Sequence, residues 1–354
     1  MKEKIAEQKE NTTARPLADS FGTAAFGGEG WSQRILTHRQ EIGSLWAACG
    51  LDTEWQTLKS VLVHRPGKEM EIPEHRVNEL QFAEHLDLGK ARAEHEAMVE
   101  AYQKNGVKVH FLEPNPGMTP NQIFCADLFA MTPEGAILAR PASTVRAGEE
   151  RWVAQTLSNL GIPILKTLTG TATFEGADLM WLDPSTAVIG RGLRTNQAAI
   201  DQISALLGEM GITCLAFDLP YGTMHFMGML RMVRKDLAFV WPRRTPHGLV
   251  LVLRDRGVKV LPLPDLDEAL INMAFNLVVL GPDRILLPGQ NPKSVAGYEA
   301  LGIECTAVSV EELRKANGAM GCMTGILERE KGKHSAGGPG QGRDRGYPVS
   351  SGIR

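Results

Sequence analysis

Residues 196–215 read NQAAIDQISALLGEMGITCL: a helix over 196–210 that halts at Gly211 and passes into a short strand ending at Leu215. Glycine is what a helix C-terminus needs when the chain must turn through a left-handed conformation. The same order of helix, glycine and strand recurs along the chain. A helical segment at 91–102 precedes Gly106 and a strand at 107–112, and one at 149–160 precedes Gly161 and a strand to Leu165. A shorter helix at 293–301 precedes Gly302 and a strand at 303–308. Gly257 opens a further strand at 257–263, although 249–253 ahead of it reads as extended. The glycines at 106, 161, 211, 257 and 302 fall at intervals of 55, 50, 46 and 45 residues, a repeat-scale period.

Further apolar strands lie between these elements, at 58–65, 136–139, 179–182, 187–189, 237–241, 277–280 and 285–287. Each unit therefore holds several strands and usually a helix. Five such α/β units suggest a closed arrangement around a central channel, into which loops from every unit converge. The alternative is an open α/β sheet with chance glycine spacing. A helix is also expected at 31–49. The polar segment 1–30 reads as a flexible arm, 31–330 as a single domain, and the Gly-rich, charged segment 331–354 as a disordered tail.

The bulk composition narrows the function classes. The 354 residues carry a net charge of −3, which argues against a nucleic-acid partner. No apolar run approaches the roughly 18 residues of a membrane span, and the N-terminus lacks the apolar stretch of a signal peptide. Five widely spaced cysteines contain no CxxC pair, so neither a disulfide framework nor a structural zinc site is expected. These features point to a reducing cytoplasm. A homo-oligomer is compatible with the sequence.

Four places could carry chemistry. Cys322 follows the small-residue run Gly318-Ala319-Met320-Gly321 and is the candidate nucleophile. Glu175 and Asp178 lie three apart in Phe174-Glu175-Gly176-Ala177-Asp178, where they either cap backbone amides or bind a cation. Asp127, read as part of an apolar strand, needs a protein partner or a cationic ligand to offset its burial. His225 lies among apolar residues that can tune it toward neutral pH for acid/base work.

In this order, these pieces resemble the guanidino-group-modifying enzymes, the superfamily of arginine deiminase, dimethylarginine dimethylaminohydrolase and arginine–glycine amidinotransferase. The likeness runs from about Glu54 to Glu330. Its markers are VLVHRPG at 61–67, ARAEH at 91–95, FEGAD at 174–178, RTN at 194–196, NLVVLGP at 276–282 and GCMT at 321–324. The resemblance implies a five-bladed α/β propeller of ββαβ-type units, the pentein fold, and no metal or organic cofactor. It also implies that Cys322 attacks a guanidinium or amidine carbon to give a covalent S-alkylthiouronium. His225 is implied as the proton donor and then the base, and Glu175 and Asp127 as holders of the substrate N–H groups, with Asp178 close behind.

The chain departs from the family pattern in ways that bear on the substrate. Phe124-Cys125-Ala126-Asp127 lacks the arginine of Phe-x-Arg-Asp, Met227 stands where deiminases carry an acid, and Asn317 replaces a deiminase arginine. Arg194, with Arg140 and Arg146, remains available to bind a carboxylate. The implied activity is hydrolysis of a C–N bond in a small cationic guanidino or amidino compound, with a substituted guanidine preferred to free arginine. Two alternatives are an amidinotransferase and a non-enzymatic binding protein of the same fold.

Overall fold

The structure, a computed structural model, describes residues 32–332. The arm expected at 1–30 and all but the first two residues of the tail expected at 331–354 lie outside the described residues. The helix expected at 31–49 shrinks to α1 (His38–Glu41), capped by Thr37, and the chain then runs irregularly through Gly43 at φ 84°. Its apolar positions do not share a buried face: Ile35 and Leu45 are exposed.

From there the chain repeats one pattern. The first turn of it comprises β1 (Leu58–Val63), α2 (Leu88–Lys104) and β2 (Lys108–Phe111). Next come β3 (Phe129–Thr132), β4 (Gly135–Leu138), α3 (Glu150–Asn159) and β5 (Ile164–Thr167). The third unit is β6 (Leu179–Asp183), β7 (Thr186–Arg191), α4 (Gln197–Glu209) and β8 (Thr213–Asp218). The fourth is β9 (Leu230–Arg234), β10 (Leu237–Val240), α5 (His247–Asp255) and β11 (Lys259–Pro262). After the short α6 (Leu266–Ile271), the fifth is β12 (Val278–Gly281), β13 (Arg284–Pro288), α7 (Pro292–Glu299) and β14 (Glu304–Val308). The one-turn helix α8 (Met320–Met323) and β15 (Gly325–Arg329) complete the described chain.

Five three-stranded sheets result, each a mixed sheet with one antiparallel and one parallel pair. The parallel partners are always the strands on either side of a helix: β1 with β2, β4 with β5, β7 with β8, β10 with β11, β13 with β14. A parallel pair needs such a crossover, whereas antiparallel neighbours need only a tight turn. Among the described residues no strand precedes β1 to pair with it, and β15 takes that place, with Leu58 opposite Arg329 and Leu62 opposite Gly325. Contacts pass from β15 to β3, from β3 to the turn at Gly176–Asp178, and from β6 to the turn at Phe226–Gly228. They continue from β9 to β12 and from β12 back to β1.

The five glycines that mark the repeat all take the left-handed conformation, at φ 75°, 74°, 74°, 75° and 79° in chain order. The fourth unit is more regular than its sequence suggests. The expected strand at 249–253 is the middle of α5, because Leu249 and Leu253, four apart, both turn inward and are fully buried while Val250 and Val252 stay at the edge. A short run of Val and Leu cannot by itself tell a strand from a buried helix face. The helices pack outside their sheets, α4 on β8 and α5 on β11 for example. The opposite ends of the sheets carry the short turns that hold the charged residues described next.

Candidate active site

The turn at Gly176–Asp178 sets the position of two acids at once. Gly176 has no room for a side chain: a Cβ there would lie 2.0 Å from the Phe129 carbonyl oxygen and 2.6 Å from that of Ala126. This close approach docks Glu175 beside the turn at Cys125–Asp127. Asp127 is therefore on a single 3-10 turn, not in the apolar strand expected for it, and β3 begins two residues later.

Glu175 is wholly buried. Its Oε1 accepts from Arg194 Nη1 at 3.1 Å and from the Ala142 amide at 3.3 Å, and its Oε2 lies 2.5 Å from His225 Nε2. Burial pushes the carboxyl up, but the His225 hydrogen bond and charge, with Arg146 and Arg194, outweigh that and hold it at about 2. His225 shows the converse. Burial pushes the imidazole down, yet the charge of Asp127 and the Glu175 hydrogen bond, backed by Asp178, raise it to about 9. His225 is thus an imidazolium at neutral pH, held by a carboxylate.

Asp178 has no free acceptor toward the cavity. Its Oδ2 accepts from Thr195 Oγ1 at 2.6 Å and its Oδ1 from the Phe226 amide at 2.9 Å. It fastens the residue after His225 and so fixes the histidine's backbone. Burial raises its carboxyl to about 6.

Asp127 uses only one oxygen. Oδ2 accepts from Arg146 Nη1 at 2.6 Å, while the buried Oδ1 has no hydrogen-bond partner and lies 3.6 Å from His225 Nδ1. Arg146 is buried too and faces inward: it also donates from Nε to Glu149 at 2.9 Å and stands 3.9 Å from Glu175. Burial lowers its basicity, but the three carboxylates raise it further. Arg146 and Arg194, both expected to receive a substrate carboxylate, are instead largely engaged by protein carboxylates.

Cys322 lies within α8, half-buried, and not in an open loop. The small residues around it serve close packing. A Cβ on Gly318 would meet the Phe124 ring at 2.4 Å, and one on Gly321 would meet Asn276 Oδ1 at 2.6 Å. Asn276 Nδ2 donates to Cys322 Sγ at 2.8 Å, and its Oδ1 accepts from the Cys322 amide at 3.0 Å. Burial and the charge of Asp127 push the thiol up, opposed by Asn276 and by Arg231. Before a cation binds, the thiol form prevails.

One cavity brings these groups together: Asp127, Arg146, Arg194, His225, Asn317 and Cys322 all line it. Asn317 sits there in the left-handed conformation, at φ 70°, at the end of the turn Leu313–Ala316. Glu175 and Asp178 stand behind His225. Donor atoms of Asp127, Glu175 and His225 lie within 4.8 Å of one another, a metal-sized cluster. However, Glu175 is spent on His225 and Arg194, so the spare acceptor is Asp127 Oδ1, suited to an N–H donor. Sequence reasoning assigned no role to Asn276, Thr195 or Glu149. Asn276 and Thr195 do fall in the marker stretches 276–282 and 194–196, which was their only signal.

A family model described as N,N dimethylarginine dimethylhydrolase, eukaryotic, matches residues 73–247, a span that includes Asp127, Glu175 and His225 but stops short of Cys322. The N(G),N(G)-dimethylarginine dimethylaminohydrolase of Streptomyces coelicolor is 25% identical over 268 residues, 75% of this chain and 96% of that protein. Among solved structures, the corresponding enzyme of Pseudomonas aeruginosa, complexed with citrulline, aligns with TM-score 0.64 and 20% identity over 77% of this chain and 100% of that one. An amidinotransferase of the saxitoxin biosynthetic pathway from Microseira wollei aligns with TM-score 0.66 and 16% identity over 80% of this chain and 98% of its own. In its repeated sheets and in the order of its site motifs the chain is similar to these dimethylarginine dimethylaminohydrolases and to the amidinotransferase, proteins of the guanidino-group-modifying class.

Proposed function

We infer that this protein is a cysteine-dependent hydrolase of a guanidine or amidine C–N bond in a small cationic molecule. The observation that carries the reading is the buried, unpartnered Asp127 Oδ1 in the same cavity as Cys322 and His225. A buried acceptor without a donor is costly unless a ligand supplies one, and a planar guanidinium supplies several. The dimethylarginine dimethylaminohydrolases to which the chain is similar support the same reaction class. The five sheets and their contacts support a five-bladed α/β propeller, a single catalytic domain over 31–330. A cytoplasmic setting fits the five free cysteines, and no helix among the described residues is long and apolar enough to cross a membrane.

The chemistry runs as follows. The bound cation donates an N–H to the unpartnered Asp127 Oδ1 and lowers the energy of the Cys322 thiolate, whose proton leaves to solvent. The thiolate attacks the guanidino carbon. His225, charged and held by Glu175, gives its proton to the departing nitrogen as the C–N bond breaks, leaving an S-alkylthiouronium and a neutral imidazole. Water then loses a proton to His225 and adds to the same carbon. Collapse expels the Cys322 thiolate and yields a urea-type product, with ammonia or an alkylamine as the other product. Asp178 holds His225 in register through the Phe226 amide. No step calls on a metal or organic cofactor.

Amidino transfer to an amine is the second reading, since the site opens on one side wide enough to admit an acceptor. Incubation with guanidino compounds, with and without amines, separates the two: urea-type product without an amine supports hydrolysis, and turnover that depends on an amine overturns it. Cys322→Ala and His225→Ala should each lower turnover by orders of magnitude. Near-normal rates in either folded variant would remove that residue from the mechanism.

A further inference from the structure

Cys322 and His225 line two cavities, not one. The first holds the charged Asp127, Arg146 and Arg194 and is only about 30 Å³. The second shares Met224, His225, Asn317 and Cys322 with it and opens to about 280 Å³. Its wall is formed by Met224, Met227, Trp241, Leu270, Met273 and Phe275, and contains no carboxylate. Engineered apolar cavities of roughly 150 Å³ take up benzene, so this lobe has room for a ring.

The wall is built to stay open. Arg244 stacks its guanidinium 4.1 Å from the centre of Trp241, and Phe275 meets the same indole edge-on at 6.3 Å, so the indole stands as a fixed face. Met224 and Leu270 keep 43% and 57% of their surface exposed, uncovered apolar area in the same cavity as the Cys322 thiol. Methionine side chains adapt to rings and chains of irregular outline. The small lobe suits a planar charged head; whatever hangs from that head on the other side meets a mainly apolar wall, with Thr223, Asn276, Asn317 and Arg244 as its polar edge.

We propose that this lobe is a substrate subsite for a bulky apolar N-substituent, an aryl or branched alkyl group on the guanidine. The proposal rests on the hydrolase reading for its turnover and on the cavity alone for its binding, so the two can be tested apart. The probes are methylguanidine, n-butylguanidine, benzylguanidine and 4-guanidinobutyrate. With the wild-type protein, kcat/KM should rise at least about tenfold from methyl to benzyl as apolar surface leaves water, with 4-guanidinobutyrate below both. Leu270→Asn, at an exposed position, should remove most of the benzyl advantage and leave methylguanidine turnover unchanged. Calorimetry on Cys322→Ser should show benzylguanidine binding at least about tenfold tighter than methylguanidine. Equal handling of methyl and benzyl, or preference for the carboxylate, overturns the subsite even where hydrolysis is seen. Tight benzyl binding with no turnover in the wild type upholds the subsite and overturns the hydrolase reading instead.

Discussion

Glu175 Oε2 and His225 Nε2 lie 2.5 Å apart inside the protein, a carboxylate and an imidazolium shielded from water. The pair has a pH signature. His225 is raised to about 9 from an unfolded value of about 6.5, so its contribution to stability is complete below about 6.5 and is lost as pH rises through 9. Glu175 is held at about 2, so its contribution is complete above about 4.5 and is lost as pH falls through 2. The two shifts describe one interaction and add once. The urea midpoint should decline between pH 6.5 and 9.5, and Glu175→Gln should flatten that decline. An unchanged alkaline limb in the variant would contradict the assignment.

Asn276 clamps Cys322 through both its side chain and its amide. Asn276→Ala removes a donor to the sulfur, so thiolate formation should shift to higher pH. Alkylation by iodoacetamide, followed against pH, should slow about tenfold at neutral pH, the effect of roughly one hydrogen bond. An unaltered alkylation profile would mean that the amide does not tune the thiol.

Arg146 joins Asp127, Glu149 and Glu175 in a buried cluster. Removing its charge strands three carboxylates, of which Glu149 is already pushed by burial to about 7. Arg146→Met should cost about 3–5 kcal/mol, and Asp127→Asn in the same chain should recover part of the loss. Additive losses in chemical denaturation would show the two residues to be uncoupled.

Gly176→Ala would drive a methyl group into two backbone carbonyls that cannot move aside cheaply. A destabilisation of about 1–3 kcal/mol is expected, together with weaker substrate binding, because the turn that seats Glu175 shifts from Asp127. A variant with wild-type melting and KM would show that the contact is slack.

Much of the fold is readable in five glycines, because a helix that must reverse direction leaves few other choices at φ near 75°. What the local pattern could not supply is the meaning of apolar runs. Residues 249–253 satisfy a strand and a helix equally, and only packing against the sheet selects the helix. At the site, Cys322, His225, Glu175 and Asp127 stand out because each residue type is chemically expensive where it sits. Asn276 does not, since its function is created by a partner 46 positions away. The arginines were legible as cations but not as paired members of a buried charged network. Their partners at 127, 149 and 175 come together only after the sheets assemble.

The closure of the first sheet by β15 carries a consequence for when this protein becomes reactive. Cys322 sits three positions ahead of Gly325, where β15 begins, and Gly325 pairs with Leu62 in β1. Every other residue of the candidate site is synthesised earlier, and the last strand of the described chain follows the thiol directly. On the reading that Cys322 is the nucleophile, a growing chain can gather its acids and its imidazole yet lacks the attacking thiol until β15 reaches β1.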